Sequence, residues 1–489
     1  MTRKDFLYHS FLDRLGYEAT PSQDSLFSAL AAFFTGDEGD IFVVNGYAGT
    51  GKTTAVAAVV SVMASLAVKT VLLAPTGRSA KVLSSYTGMG AFTIHKHIYR
   101  QKSHGDDGFG QFTLAPNKAH DTLFVVDEVS LLGIESGQGA STASFGSGNL
   151  LGDLVEFVRR GTDCRLVLAG DSAQLPPVGL DASPALSPDY MAGFGGVQFA
   201  TLTDVVRQQK ASGILYNATL LRDLLSGDGF TEVELPLDEL HLRAEGFDDI
   251  ARISGGELLE TLSDAYGRYG EDSTIVLCRS NRRANRYNAG IRAQVLFKEE
   301  RLVRGDRLMI VKNCYQFVDK VKELDYIANG DMVKLLSIKH FEERYGLHFA
   351  DATLAFPDYD DVEIEAKVLL DTLESENASL GYEQSNALYQ GVSADYAHIT
   401  SKKKRYDAVR EDLYYNALQL KYAEAVTCHK SQGGQWDCVF VDNAFWQDTL
   451  TTDDLKWLYT ALTRAVKQVY LVNFKDELFC TDLAKVKIQ

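Results

Sequence analysis

The sequence predicts an α/β protein built on parallel sheets, and three segments carry that prediction. Residues 41–60 read as a buried strand (Ile41-Phe42-Val43-Val44), a glycine-rich loop and an Ala/Val-rich helix. Leu123-Phe124-Val125-Val126 is a second buried strand, ending in Asp127-Glu128. Arg165-Leu166-Val167-Leu168-Ala169 is a third, running into Gly170-Asp171-Ser172-Ala173-Gln174-Leu175-Pro176-Pro177. In open α/β sheets ligands bind beyond the C-terminal ends of the strands, and there the polar residues of all three segments fall.

The loop from Gly46 to Thr53 fits G-x-x-x-x-G-K-[ST]. Its glycines let backbone N–H groups turn inward around phosphates, at a helix N-terminus that already favours anions. Lys52 is expected to reach the β/γ-phosphates of ATP, and Thr53 to give its hydroxyl to Mg²⁺. Asp127 is expected to hold the same ion, and Glu128 to orient and deprotonate an attacking water. Alone, an apolar run closed by Asp-Glu is a common strand exit; about 70 residues beyond a phosphate loop it reads as the second half of an ATPase site. Gln174 can hydrogen-bond a γ-phosphate and lose that bond on hydrolysis, beside a chain stiffened by Pro176-Pro177. The plainer alternative is a polar turn.

Composition bounds the rest. At 489 residues, a prior of roughly 150 per unit gives about three folding units. No apolar run is long enough to span a bilayer, and Met1-Thr2-Arg3-Lys4-Asp5 does not lead into a signal-peptide block, so a cytoplasmic protein is expected. The six cysteines are scattered and read as buried thiols in a reducing compartment, with no Cys/His metal site. A net charge of −17 argues against a generic nucleic-acid coat, whose affinity comes from phosphate neutralisation. A motor needs only a local positive groove.

Further strings bring a family into view. Gly170-Asp171-Ser172-Ala173-Gln174-Leu175-Pro176-Pro177-Val178 resembles motif III of superfamily 1 helicases, and Ala74-Pro75-Thr76-Gly77-Arg78-Ser79-Ala80-Lys81 resembles their motif Ia. Ala425-Val426-Thr427-Cys428-His429-Lys430-Ser431-Gln432-Gly433 is similar to motif V, and Trp457-Leu458-Tyr459-Thr460-Ala461-Leu462-Thr463-Arg464-Ala465 to motif VI. Thr93-Ile94-His95 and Ile275-Val276-Leu277-Cys278-Arg279-Ser280-Asn281 resemble blocks of the branch containing the RecD and phage Dda helicases (SF1B). The likeness runs from about Thr20 to Leu471, in the family's order.

That resemblance implies two RecA-like parallel-sheet domains with a small pin insertion and an SH3-like β-barrel insertion. The expected layout is 1–200 for the first motor domain (pin about 96–120), 201–333 with 419–489 for the second, and 334–418 for the barrel. The nucleotide set becomes Gln23 (reading adenine), Gly46, Ala48, Gly49, Thr50, Gly51, Lys52, Thr53 and Thr54, with Gln432 and Gly433 from motif V. Arg207 and Arg464 are expected to point at the γ-phosphate, joining Lys52, Glu128 and Gln174 in catalysis. Pro75, Thr76, His95, Asn313, His429 and Ser431 are expected to contact DNA, with Arg78 and Lys81 beside them. His97 reads instead as a surface histidine.

Other segments leave two readings open. Phe109 and Phe112 are either a duplex-splitting wedge or locally packed aromatics. The Gly/Ser-rich stretch 135–149 is expected to be mobile, as an inert insertion or a contact for DNA or a partner. The run Lys402-Lys403-Lys404-Arg405 is either a solvated charge cluster or a DNA-backbone contact. The whole predicts an ATP- and Mg²⁺-dependent DNA helicase moving 5′ to 3′ on single-stranded DNA and at junctions, as a monomer, with replication or repair proteins as partners and no membrane. The alternatives are an RNA helicase or remodelling ATPase, and a RecA-fold switch independent of nucleic acid.

Overall fold

The computed structural model describes residues 1–101, 111–133, 144–206, 212–225, 233–318, 321, 324 and 326–479. Its first sheet has the order Ala91–Thr93, Lys69–Ala74, Thr122–Val126, Arg165–Gly170, Ile41–Gly46, Val197–Leu202, with every neighbouring pair parallel. The period-two alternation of strands explains why its central strands are apolar throughout. Ile41, Val43, Phe124 and Val126 face a cluster with Leu151, Leu154 and Phe157, while Phe42, Val44, Leu123 and Val125 face another with Phe11, Phe27 and Val59.

The second sheet, also parallel, runs Ile250–Ile253, Ala465–Val472, Trp436–Asp442, Thr274–Cys278, Ala425–Thr427. The chain leaves it for a closed five-stranded barrel: Arg307–Ile310, Met332–Arg344, Leu347–Phe356, Val362–Leu369 and Leu418–Tyr422. The barrel thus starts before residue 334 and ends beyond 418, outside the bounds expected from sequence. The apolar run at 307–310 looks like a strand of the large sheet. Instead it pairs with residues more than a hundred positions on, Leu308 opposite Tyr422 and Ile310 opposite Leu420. Phe356 fills the barrel interior, whereas Phe349 packs under the helices Tyr382–Asp395 and Lys402–Glu411 through Leu388, Val392 and Val409. The basic run opens the second of these helices, capped by Ser401, with Lys402, Lys403 and Lys404 exposed.

A small sheet of Tyr99–Gln101, Gln111–Leu114 and Ser144–Phe145 stands where the pin is expected. Phe109 and residues 135–143 of the Gly/Ser-rich stretch lie outside the described residues. Phe112 is not an exposed wedge: it is buried, its ring 5.1 Å from that of Tyr315. His97 is half-buried rather than free on the surface, its ring packing edge-on against Phe124 and Phe157 at 5.9 and 5.7 Å. Among the described residues no helix is long and apolar enough to cross a membrane, and Cys164, Cys278, Cys314, Cys428 and Cys438 are buried free thiols.

Candidate active site

The strand Ile41–Gly46 delivers the chain into a loop that only glycine permits at two points. Gly49 and Gly51 both hold φ at 74°, the left-handed region that penalises a Cβ. Gly51 is the N-cap of the helix Lys52–Ser65 and offers it no side-chain cap, which leaves the first helical N–H groups to an anion. The Thr50 hydroxyl donates to Tyr47 O at 2.7 Å, and Val206 N donates to Gly49 O at 3.0 Å, fixing the loop from inside and outside.

Lys52 Nζ lies 3.5 Å from Asp127 Oδ1, at the C-terminal end of Thr122–Val126. Burial opposes the lysine charge, but Asp127, Glu128 and Asp171 together outweigh it and hold the ammonium above the ordinary lysine range. Burial pushes Asp171 upward, with Lys52 opposing. Glu128 sits at φ 58°, its N–H donated to Asp127 Oδ1 at 2.9 Å. Glu128 Oε2 and Gln174 Oε1 are both buried without a hydrogen-bond partner among the described residues. An orphaned buried polar atom costs about 1–3 kcal/mol, and both of these oxygens are acceptors, which a donor such as a water molecule would complete. The groups that suit a triphosphate are the uncapped N–H groups at the start of the helix and the Lys52 ammonium. The Thr53 hydroxyl and Asp127 carboxylate are oxygen donors of the kind Mg²⁺ takes.

The second domain closes over this loop through the helix Thr452–Leu462. Tyr459 donates its hydroxyl to Asp171 Oδ2 at 2.6 Å and accepts from Ala48 N at 2.8 Å. Leu175 N donates to Thr460 Oγ1 at 2.8 Å, and Gln432 Nε2 to Leu175 O at 2.6 Å. Asp171, Tyr459 and Thr460 were not singled out from sequence, although all three lie inside motif strings. Their signal is polar groups in otherwise apolar buried runs.

Several expected residues stand elsewhere. Arg464 is buried in its own domain, donating to Thr460 O and Gly434 O at 3.2 Å each. Those carbonyls satisfy its fork, so Tyr459 rather than Arg464 reaches the phosphate loop. Arg207 lies outside the described residues. The Gln23 amide is engaged by the protein: Nε2 donates to Thr50 O at 3.0 Å and Tyr17 Oη at 3.3 Å, and Oε1 accepts from Thr20 N at 3.1 Å. Thr54 faces solvent. Gly433, at φ 75°, packs on Thr76.

Where the first domain meets the second domain and the barrel, Thr76 caps the helix Gly77–Thr87 in a reciprocal box with Ser79, just after half-buried Pro75. Arg78 stacks on Trp436, 4.0 Å from the ring centre, and donates to Gln435 O at 2.9 Å. Lys81 donates to Pro357 O on the barrel. His429 is exposed, and Asn313 Oδ1 accepts from Asn329 N at 2.6 Å. Two expected DNA contacts are turned inward. Ser431 is fully buried and donates to Cys428 O at 2.7 Å. His95 packs against the Tyr99 and Tyr326 rings at 5.7 and 5.9 Å, where burial lowers its pKa to about 4.

A phosphate loop, paired carboxylates and a second parallel-sheet domain closing over both define a tandem RecA-like fold with a nucleotide-type site at its seam. Comparison with known proteins agrees in sequence. A family profile described as an AAA domain matches residues 20–234, and one described as a UvrD-like helicase C-terminal domain matches 422–472. The ATP-dependent RecD2 DNA helicase of Deinococcus radiodurans is 36% identical over 138 residues, covering 28% of this chain and 16% of that protein. An uncharacterized protein of Methanocaldococcus jannaschii is 23% identical over 484 residues, covering 91% of this chain and 38% of its own length. The chain therefore spans well under half of either curated relative. Among solved structures, two coordinating Pif1 helicases at forked duplex DNA align at 15% identity, 95% of each chain and a TM-score of 0.46. Pif1 of Candida albicans aligns at 17% identity, 96% and 97% coverage, and a TM-score of 0.41. In its motifs and in these sequence matches the chain resembles the superfamily 1 helicases of the RecD branch.

Proposed function

We propose that the protein is an ATP-dependent DNA helicase that moves along single-stranded DNA, 5′ to 3′ on the bound strand, and opens duplex at a junction. The observation that supports this reading is the seam, where Ala48, Asp171 and Leu175, on the loops that carry Lys52 and Gln174, meet Tyr459 and Thr460 of the other domain. A ligand in the phosphate loop then acts on the angle between the domains, which is how hydrolysis becomes motion. Lys52 binds the phosphates, Glu128 takes a proton from the attacking water, and Gln174 contacts the terminal phosphate. Mg²⁺ held by Thr53 and Asp127 neutralises charge on the phosphates when bound. Arg207 and Arg464 are the candidate cations from the far side; Arg464 acts only after releasing Gly434 O and Thr460 O.

For the strand itself, Pro75, Thr76, Asn313 and His429 are the candidates. So few groups suit an acidic protein that must release its track every cycle. Both motor domains lie in one chain, so a monomer is sufficient, and replication or repair proteins are the partners expected of such a motor. The direction of travel comes from the family resemblance.

The test is ATP hydrolysis by the purified protein with and without single-stranded DNA, and with RNA alongside. Strong stimulation by DNA alone supports the motor, and tailed duplexes then read its direction. Stimulation by RNA alone moves the assignment to RNA remodelling. Hydrolysis indifferent to both removes the helicase and leaves a RecA-fold ATPase switch. A Lys52→Ala protein that still hydrolyses ATP with DNA present would sink the site assignment.

A further inference from the structure

We propose that Tyr459 is a positioning residue that ties the phosphate loop and Asp171 of the first domain to the second, so that hydrolysis depends on cleft closure. The proposal rests on the ATPase reading above. Its basis is one hydroxyl used twice: Tyr459 Oη donates to Asp171 Oδ2 at 2.6 Å and accepts from Ala48 N at 2.8 Å. A phenol is both donor and acceptor. Phenylalanine supplies neither role while filling the same space.

The ring cannot adjust independently of its helix. Tyr459 is 1% exposed, and Trp457, Leu458, Ala461 and Leu462 around it are equally buried. Close-packed interiors transmit displacement rather than absorb it, so the hydroxyl reports where the helix Thr452–Leu462 stands. Thr460, the next residue, accepts Leu175 N on the neighbouring loop. Two consecutive side chains thereby register the second domain against the phosphate loop and the Gln174 loop.

Asp171 gives the tie a chemical consequence. Its carboxylate belongs to the set that acts on the Lys52 charge. Held by Tyr459 and by Ala173 N at 2.9 Å, it is kept from competing with phosphate for the ammonium. When the second domain withdraws, Ala48 N and Asp171 lose this partner together, and Asp171 is free to turn on Lys52. Closure therefore prepares Lys52, and opening disarms it.

The experiment is Tyr459→Phe in the full chain, with kcat and KM for ATP measured at saturating single-stranded DNA. The expected result is a kcat lowered about tenfold, the scale of one hydrogen bond to a charged group, with KM within about twofold. Wild-type kcat overturns the proposal, as does a KM raised as much as kcat is lowered, which marks a packing role. Hydrogen exchange over residues 46–52 reads the tie without turnover. Faster exchange in Tyr459→Phe supports it, and identical exchange overturns it. Failure of the ATPase reading looks different, because then the wild type itself does not hydrolyse ATP or Lys52→Ala still does.

Discussion

Gly77 is the point where the barrel rests on the first domain, and adding one methyl there tests that contact. A Cβ on Gly77 would overlap Oη and Cζ of Tyr359 and lie 2.9 Å from its Cε2. The ring has little room to yield. Its hydroxyl donates to buried Asp331 at 3.2 Å, its face packs by Phe356 at 6.4 Å, and Lys81 holds the same turn through Pro357 O. Gly77→Ala must therefore push the turn Pro357–Tyr359 off the helix, an overpacking that typically costs about 1–3 kcal/mol. For a unit of 150–250 residues each kcal/mol lowers the melting temperature by roughly 2–4 °C, so a drop of about 2–12 °C is expected by calorimetry on the full chain. Tyr359→Ala removes the obstacle, and the pair of substitutions should cost less than the sum of the two singles. A Gly77→Ala protein that melts with the wild type, or losses that simply add, would refute the reasoning.

Two further predictions concern charge. Glu128→Gln keeps the size of the side chain but not its basicity, so ATP turnover should fall by about 10²-fold or more while a fluorescent nucleotide still binds; retained turnover would exclude Glu128 as the base. Asp331 is raised by burial to about 7, above the unfolded value of roughly 3.9. Between those limits the folded protein keeps a proton that the unfolded chain releases, so this group's contribution favours folding at acid pH and is lost as pH rises through 7. In urea titrations from pH 5 to 8, Asp331→Asn should show a shallower decline of stability than the wild type; equal slopes would contradict the assignment.

How much of this was legible beforehand depended on the distance between cause and effect along the chain. The phosphate loop and the Asp127-Glu128 strand declared themselves because their chemistry is local: strand, glycines, lysine and helix are consecutive. The barrel limits did not, since Arg307–Ile310 is completed by residues 418–422 and looks, by itself, like any buried strand. Exposure was the other blind spot. His95, His97, Phe112 and Ser431 carry types that suit a DNA groove or wedge, yet each is packed by residues distant in sequence. At the seam the motif was recognised, but Tyr459, the member that crosses to the phosphate loop, was not singled out. A guanidinium suggests a catalytic finger, whereas two backbone carbonyls claim Arg464 and leave Tyr459 to cross.

The pairing that closes the barrel also fixes where it is attached. Leu308 lies opposite Tyr422, and Ala423 N donates to Arg307 O at 3.1 Å, so the chain departs from its host and returns to it one strand spacing apart, about 4.8 Å. A guest moored at adjacent ends can lengthen, shrink or be exchanged without stretching the fold that carries it. The helices Tyr382–Asp395 and Lys402–Glu411 lie between the two moorings. They add bulk to the barrel while both moorings keep their register, so a change there leaves the host sheet untouched.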